Sequence, residues 1–103
     1  MKKTYNKLVG DLIPEIIEKS GKKCSIEILD DEQYIKAIDT KLDEEISEYH
    51  KDQNIEELAD LLEVIYAAAR ARGYSKDELE NIRAAKAQER GAFDKRILLK
   101  YVE

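Results

Sequence analysis

Two pairs of acidic residues at three-residue spacing, Glu45 with Glu48 and Glu57 with Asp60, stand within the stretch KLDEEISEYHKDQNIEELADLLEVI, residues 41–65. On a helix, side chains three apart lie one turn from each other, with Cβ atoms about 5–6 Å apart. The apolar stripe of the first helix, Ile35, Ile38, Leu42, Ile46 and Tyr49, fixes where each acid falls. At about 100° per residue, Glu45 lies about 60° from the stripe centre, Glu48 about twice as far, and Glu44 nearly opposite. The second helix carries one face of Ile55, Leu58, Leu62, Ile65 and Ala69 and a further edge of Leu61, Val64 and Ala68. Glu57 lies beside that edge and Asp60 just beyond it. The polar break KDQN is short enough to make the helices antiparallel neighbours, which levels Glu45 and Glu48 with Glu57 and Asp60. Axes about 8–10 Å apart leave a gap that two carboxylate pairs bridge through a cation.

Converging carboxylates repel and raise one another's pKa values. A divalent cation removes that conflict. An all-oxygen ligand set selects Mg²⁺ or Mn²⁺ over zinc, and the sequence offers no cysteine or histidine cluster. Mg²⁺ held by a few carboxylates keeps positions for water and substrate phosphates. The expected chemistry is phosphoryl or nucleotidyl transfer, in which metal neutralises polyphosphate oxygens and a carboxylate takes a proton from the attacking water. Simpler roles compete for the same residues. Glu57 stands at the third position of a capping box with Asn54. Glu44, Glu45 and Glu48 also suit a solvated charged face, and Lys41, four before Glu45, suits an ordinary surface ion pair.

The elements that must position these acids are well punctuated. Glycines follow basic or small polar residues in EKSG (Gly21), ARARG (Gly73) and QERG (Gly91), which reads as helix ends. Asp30 or Asp31, Asn54 with Glu57, and Ser75 with Glu78 read as starts, and Pro14 suits a first helical turn. Helices are expected near 12–20, 31–51, 55–72 and 76–90. CSIEIL (24–29) and RILLKYV (96–102) read as strands able to pair in a two-stranded ribbon. The expected fold is mainly α: a helical bundle built on an antiparallel helix hairpin, with the small ribbon over one end.

The chain has 103 residues, sized for one domain spanning 1–103, with 43% hydrophobic and 40% charged residues in a periodic pattern that argues against disorder. A net charge of −5 disfavours a general nucleic-acid binder. The single cysteine, Cys24, excludes an intrachain disulfide, suits a reducing cytoplasm, and reads as a small buried or half-buried side chain. MKKTYNK lacks the apolar core of a signal peptide, and no apolar run approaches a membrane span. No P-loop or dinucleotide fingerprint is present. His50 lacks a nucleophile partner and reads as a surface or helix-end residue. Tyr66 and Phe93 read as core or interface residues, with base stacking as the competing role.

EEISE (44–48) followed by EELAD (56–60) resembles the ExxE…ExxD signature of the all-α nucleoside triphosphate pyrophosphohydrolases, the MazG-like superfamily. NKLV-D-IPEII, ILDDEQY, NIEELADLLEVIYA and KAQERGAFDKRILL extend the likeness over nearly the whole chain. They resemble the small MazG-related or phosphoribosyl-ATP pyrophosphohydrolase-like proteins. The resemblance implies Mg²⁺-dependent cleavage between the α and β phosphates of a nucleoside triphosphate, giving a monophosphate and pyrophosphate. By position it implies Glu45, Glu48, Glu57 and Asp60 as metal ligands, with Glu44 and Glu48 as catalytic residues. Lys7, Asp11, Lys41, Lys86 and Arg90 would contact substrate, although a basic residue near a helix end, such as Arg90, also serves the dipole alone. It implies a homo-oligomer, a dimer or tetramer, which suits the two apolar edges of the third helix. The first segment departs from the family pattern KLVRDKIPEII: Gly10 and Leu12 occupy positions expected to be basic. The linker between the acidic pairs is also shorter than in many members. Two rival readings remain: a catalytically weak helical binding or oligomerisation module, and a phosphoribosyl-ATP pyrophosphohydrolase of histidine biosynthesis.

Overall fold

Local capping chemistry sets the element boundaries. In the computed structural model, which describes residues 2–103, the chain is mainly α: α1 spans Ile13–Lys19, α2 Asp31–Asp52, α3 Ile55–Ala71 and α4 Lys76–Arg90. The Asp30 carboxylate accepts the Gln33 N–H at 2.8 Å while the Gln33 side chain accepts the Asp30 N–H at 3.3 Å, a complete capping box at the start of α2. Ser75 and Glu78 close the same box on α4. Pro14 lies in the first turn of α1, where its missing N–H is not needed. At the end of α3, Gly73 adopts a φ of 90° and Tyr74 donates back to the Ala69 carbonyl at 2.9 Å. That left-handed geometry is cheap for glycine and strained for most other residues.

Only Gln53 and Asn54 separate α2 from α3. Gln53 takes the left-handed conformation, φ 52° and ψ 36°, and Asn54 returns to extended backbone and caps α3. α2 packs extensively on α3, and α3 on α4; no other helix pair packs among the described residues. Ile38 is the one buried hydrophobic among them, at 4% exposure. Its stripe partners Ile35, Leu42 and Tyr49 are half-buried, and Ile46 is exposed. Along α3, Leu61 and residues 64–69 are half-buried, whereas Ile55, Leu58 and Leu62 face solvent.

The expected ribbon does not form. No strand occurs among the described residues, and 24–29 and 96–102 are irregular, with Ile28 at 86% exposure and Leu98 at 82%. A two-stranded ribbon is marginal unless a helix surface lies beneath it, and here most of the apolar side chains of both segments are exposed. Phe93, at 95% exposure, is not part of this chain's core, and Cys24 is exposed rather than buried. The molecule measures 61 × 31 × 24 Å, with a radius of gyration of 17.9 Å against roughly 13 Å for a compact domain of its length. Its surface of 9721 Å² exceeds the roughly 6,000 Å² of a folded monomer of this size. The helical scaffold therefore leaves much apolar surface uncovered by its own chain.

Candidate metal centre

The contact between α2 and α3 gathers the acids into two overlapping groups. One carboxylate oxygen from each of Glu45, Glu57 and Asp60 lies within 4.8 Å of the others, and the same holds for Glu48, Asp52 and Glu57. Glu57 belongs to both. Burial is graded across them: Glu45 is buried, Glu48 and Glu57 are half-buried, and Asp52 and Asp60 are exposed. Asp52 was not singled out from the sequence. It lies one turn beyond Glu48, and that four-residue spacing was the available signal.

Glu57 also resolves the competition between cap and cluster. The Asn54 side chain accepts the Glu57 N–H at 3.0 Å, but the reciprocal bond from the Glu57 carboxylate to the Asn54 backbone is not made. The backbone of Glu57 is thus used in the cap while its side chain joins the acids. Partial burial raises its pKa above the ordinary 4.5, and the negative charges of Asp52, Asp60, Glu48 and Glu45 push it further the same way. This is the electrostatic load expected of carboxylates brought together.

Beside the acids sits a lysine-bound carboxylate. Lys7 Nζ donates to Glu44 Oε1 at 3.1 Å, and Lys41 Nζ donates to the same oxygen at 3.3 Å. Lys41 also lies 3.4 Å from Glu45 Oε1, with side chains only 17% and 11% exposed. The Lys41–Glu45 pair is therefore sheltered, not an ordinary surface pair, and it supplies the countercharge that lets Glu45 be buried. Burial pushes Glu44 upward, but the hydrogen bonds from Lys7 and Lys41 outweigh it, and its pKa lies below the usual value. The bond to Glu44 raises Lys7. A shallow cavity of about 130 Å³ opens here between segment 6–8 and Ala37, Thr40, Lys41 and Glu44 of α2.

The remaining substrate candidates lie apart. Lys86 and Arg90 are exposed on α4, a helix that packs on α3 and not on α2, and neither makes an ion pair among the described residues. Asp11 is exposed in the turn before α1. His50 is exposed and tilted against the Tyr49 ring at 6.0 Å. Tyr66 is half-buried, with Lys76 Nζ 4.5 Å above its ring.

Comparison with known proteins adds little to this geometry. No family model matches the chain, and no solved structure matches it. The chain is similar to an uncharacterized protein of Mycolicibacterium smegmatis (strain ATCC 700084 / mc(2)155), at 51% identity over 41 residues. The shared stretch covers 40% of this chain and 42% of that protein. No helix among the described residues is long and apolar enough to cross a membrane.

Proposed function

We propose that this chain is a Mg²⁺-dependent nucleotide pyrophosphohydrolase of MazG-like type, cleaving nucleoside triphosphates to monophosphate and pyrophosphate in the cytoplasm. The observation that carries this reading is the meeting of Glu45, Glu57 and Asp60 oxygens within 4.8 Å across two packed helices, with Glu45 buried. We read α2 and α3 as the antiparallel hairpin that holds them there. The donor set suits the ion: every donor is a carboxylate oxygen, the preference of Mg²⁺ and Mn²⁺. The pKa of Glu57 is raised first by desolvation and then by the charges of Asp52, Asp60, Glu48 and Glu45, and a cation would relieve the second of these.

When bound, the metal supplies neutralisation of charge on the polyphosphate oxygens. The chain's own residues do the rest. Glu45, Glu57 and Asp60 would hold the ion, with Glu48 and Asp52 adjoining. Glu48 accepts the proton of the attacking water, because Glu44 is bound to two ammonium groups and its lowered pKa makes it a weak base. Lys7 and Lys41 line the cavity that would receive phosphates. Lys86 and Arg90 lie on α4, which packs on α3 and not on α2, and the large uncovered surface supports assembly into a homo-oligomer.

The test offers purified protein a panel of nucleoside triphosphates with Mg²⁺ and scores pyrophosphate separately from orthophosphate. Pyrophosphate release that vanishes in Glu48→Gln and Asp60→Asn, with helicity retained, supports the enzyme. The second reading, a catalytically weak helical module, is favoured by the absence of cations at Gly10 and Leu12 and by the lysine-bound state of Glu44. It predicts no turnover in the panel. Phosphoribosyl-ATP in the same panel tests the histidine-pathway alternative.

A further inference from the structure

Segments 24–29 and 96–102 lack the same two things. Apart from a local turn in which the Arg96 N–H donates to the Phe93 carbonyl at 3.3 Å, neither has a backbone–backbone hydrogen bond to other described residues, and each exposes apolar side chains to water. On an extended backbone, alternate residues share a face. Paired as a strand, Ile26 and Ile28, at 62% and 86% exposure, would share one face of the first segment, with Glu27 and the half-buried Leu29 on the other. Paired as a strand, Leu99 and Tyr101, at 74% and 73% exposure, would share one face of the second with Ile97, and Lys100 would share the other with Leu98 and Val102. Each segment carries one charge of its own beyond its first residue, Glu27 in the first and Lys100 in the second, and these are opposite; the flanks are mixed, with Lys22, Lys23, Asp30 and Asp31 around the first and Asp94, Lys95, Arg96 and Glu103 at or around the second.

We propose that 96–102 of each copy adds as a strand to 24–29 of a second copy, reciprocally, setting Lys100 across from Glu27 of the other copy. The proposal rests on the homo-oligomer reading and says which surfaces make the contact. The area is sufficient. The chain shows 9721 Å² of surface, roughly 3,500–4,000 Å² more than a folded monomer of its length. An obligate homodimer interface buries on the order of 2,000–5,000 Å² in total. Main-chain pairing satisfies both unladdered backbones, and the alternating side chains give the apolar faces a common interior. A reciprocal exchange also closes on itself as a two-fold dimer and so leaves no free strand to propagate.

The test is a charge exchange read by analytical ultracentrifugation and native mass spectrometry on the full chain. Glu27→Lys and Lys100→Glu each create like-charge pairs and are expected to weaken self-association roughly tenfold. An equimolar mixture of the two variants restores both opposite-charge pairs in the heterodimer, so mixing is expected to recover wild-type affinity. Pairing within one chain gives no such recovery, because each variant then keeps its own repulsive pair. The double variant Glu27→Lys/Lys100→Glu is expected to associate like wild type. Circular dichroism checks that helicity is kept. A wild-type protein that stays monomeric at micromolar concentration overturns both this proposal and the homo-oligomer reading. A wild-type oligomer whose variants associate normally, or fail to recover on mixing, overturns the strand exchange and leaves the oligomer standing.

Discussion

Lys7 Nζ and Glu44 Oε1 lie 3.1 Å apart and tie the segment before α1 to the middle of α2 across 37 residues of sequence. α1 itself packs on no other helix, so this pair is the observed polar link between the N-terminal segment and the acid-bearing helices. Lys41 meets the same Glu44 oxygen and reaches on to Glu45. The two lysines and two glutamates thus form a short charge chain from the cavity to the buried edge of the acidic cluster.

Removing Lys41 strands Glu45. Lys41→Met leaves a carboxylate at 8% exposure without its 3.4 Å partner. The expected loss is about 1–3 kcal/mol of unfolding free energy at neutral pH without metal. Glu45→Gln in the same background is expected to recover part of it. Urea unfolding of the single and double variants reads both.

The acids give opposing pH dependences. Glu44 has a lowered folded pKa, so its contribution is present above the ordinary 4.5 and is lost as pH falls through the folded value. Glu57 has a raised one, so folding binds its proton more tightly, and stability is lost as pH rises from 4.5 through the folded value. Glu57→Gln is therefore expected to stabilise the metal-free protein at pH 7 and to lose that advantage near pH 4. Urea midpoints across pH check the sign. Saturating Mg²⁺ should shrink the pH 7 difference, since the ion stabilises only the protein that keeps the carboxylate.

The missing cations can be restored. A Cβ on Gly10 would meet only Ile13 Cγ1 at an ordinary 3.7 Å, and Leu12 is 66% exposed. Gly10→Arg/Leu12→Lys should fold normally. It is expected to lower the KM for a triphosphate severalfold, with about 0.2–1 kcal/mol from each exposed charge. Steady-state kinetics at low and high salt check this, because the gain should fade as salt screens it.

Which features could be foreseen follows from how local their causes are. The caps at Asp30, Asn54 and Ser75 depend on side chains three residues away, so the starts of α2, α3 and α4 were readable directly. The three-residue spacing of the acids was equally plain. Asp52 stands in KDQN, which reads as a break, whereas α2 runs as far as Asp52 itself. Lys7–Glu44 joins residues with no periodic relation, and no spacing rule leads to it. Strands at 24–29 and 96–102 are expected from composition, but both segments are irregular and Arg96 takes a left-handed φ of 60°, because a ladder depends on a pairing partner that composition does not specify. Ile46, Leu58 and Leu62 occupy apolar positions that predict burial, yet they stand 40%, 41% and 45% exposed.

The central claim is that acids from two adjoining helices hold a divalent cation together, and calorimetric titration tests it most directly. Mg²⁺ or Mn²⁺ is titrated into wild-type protein and into Glu57→Gln, the residue common to both acidic groups. The account predicts saturable binding by wild type, proton release that grows as pH is lowered toward the range where Glu57 titrates, and at least tenfold weaker binding by Glu57→Gln. Wild-type protein that takes up neither ion, or a Glu57→Gln variant that binds as tightly as wild type, would contradict it.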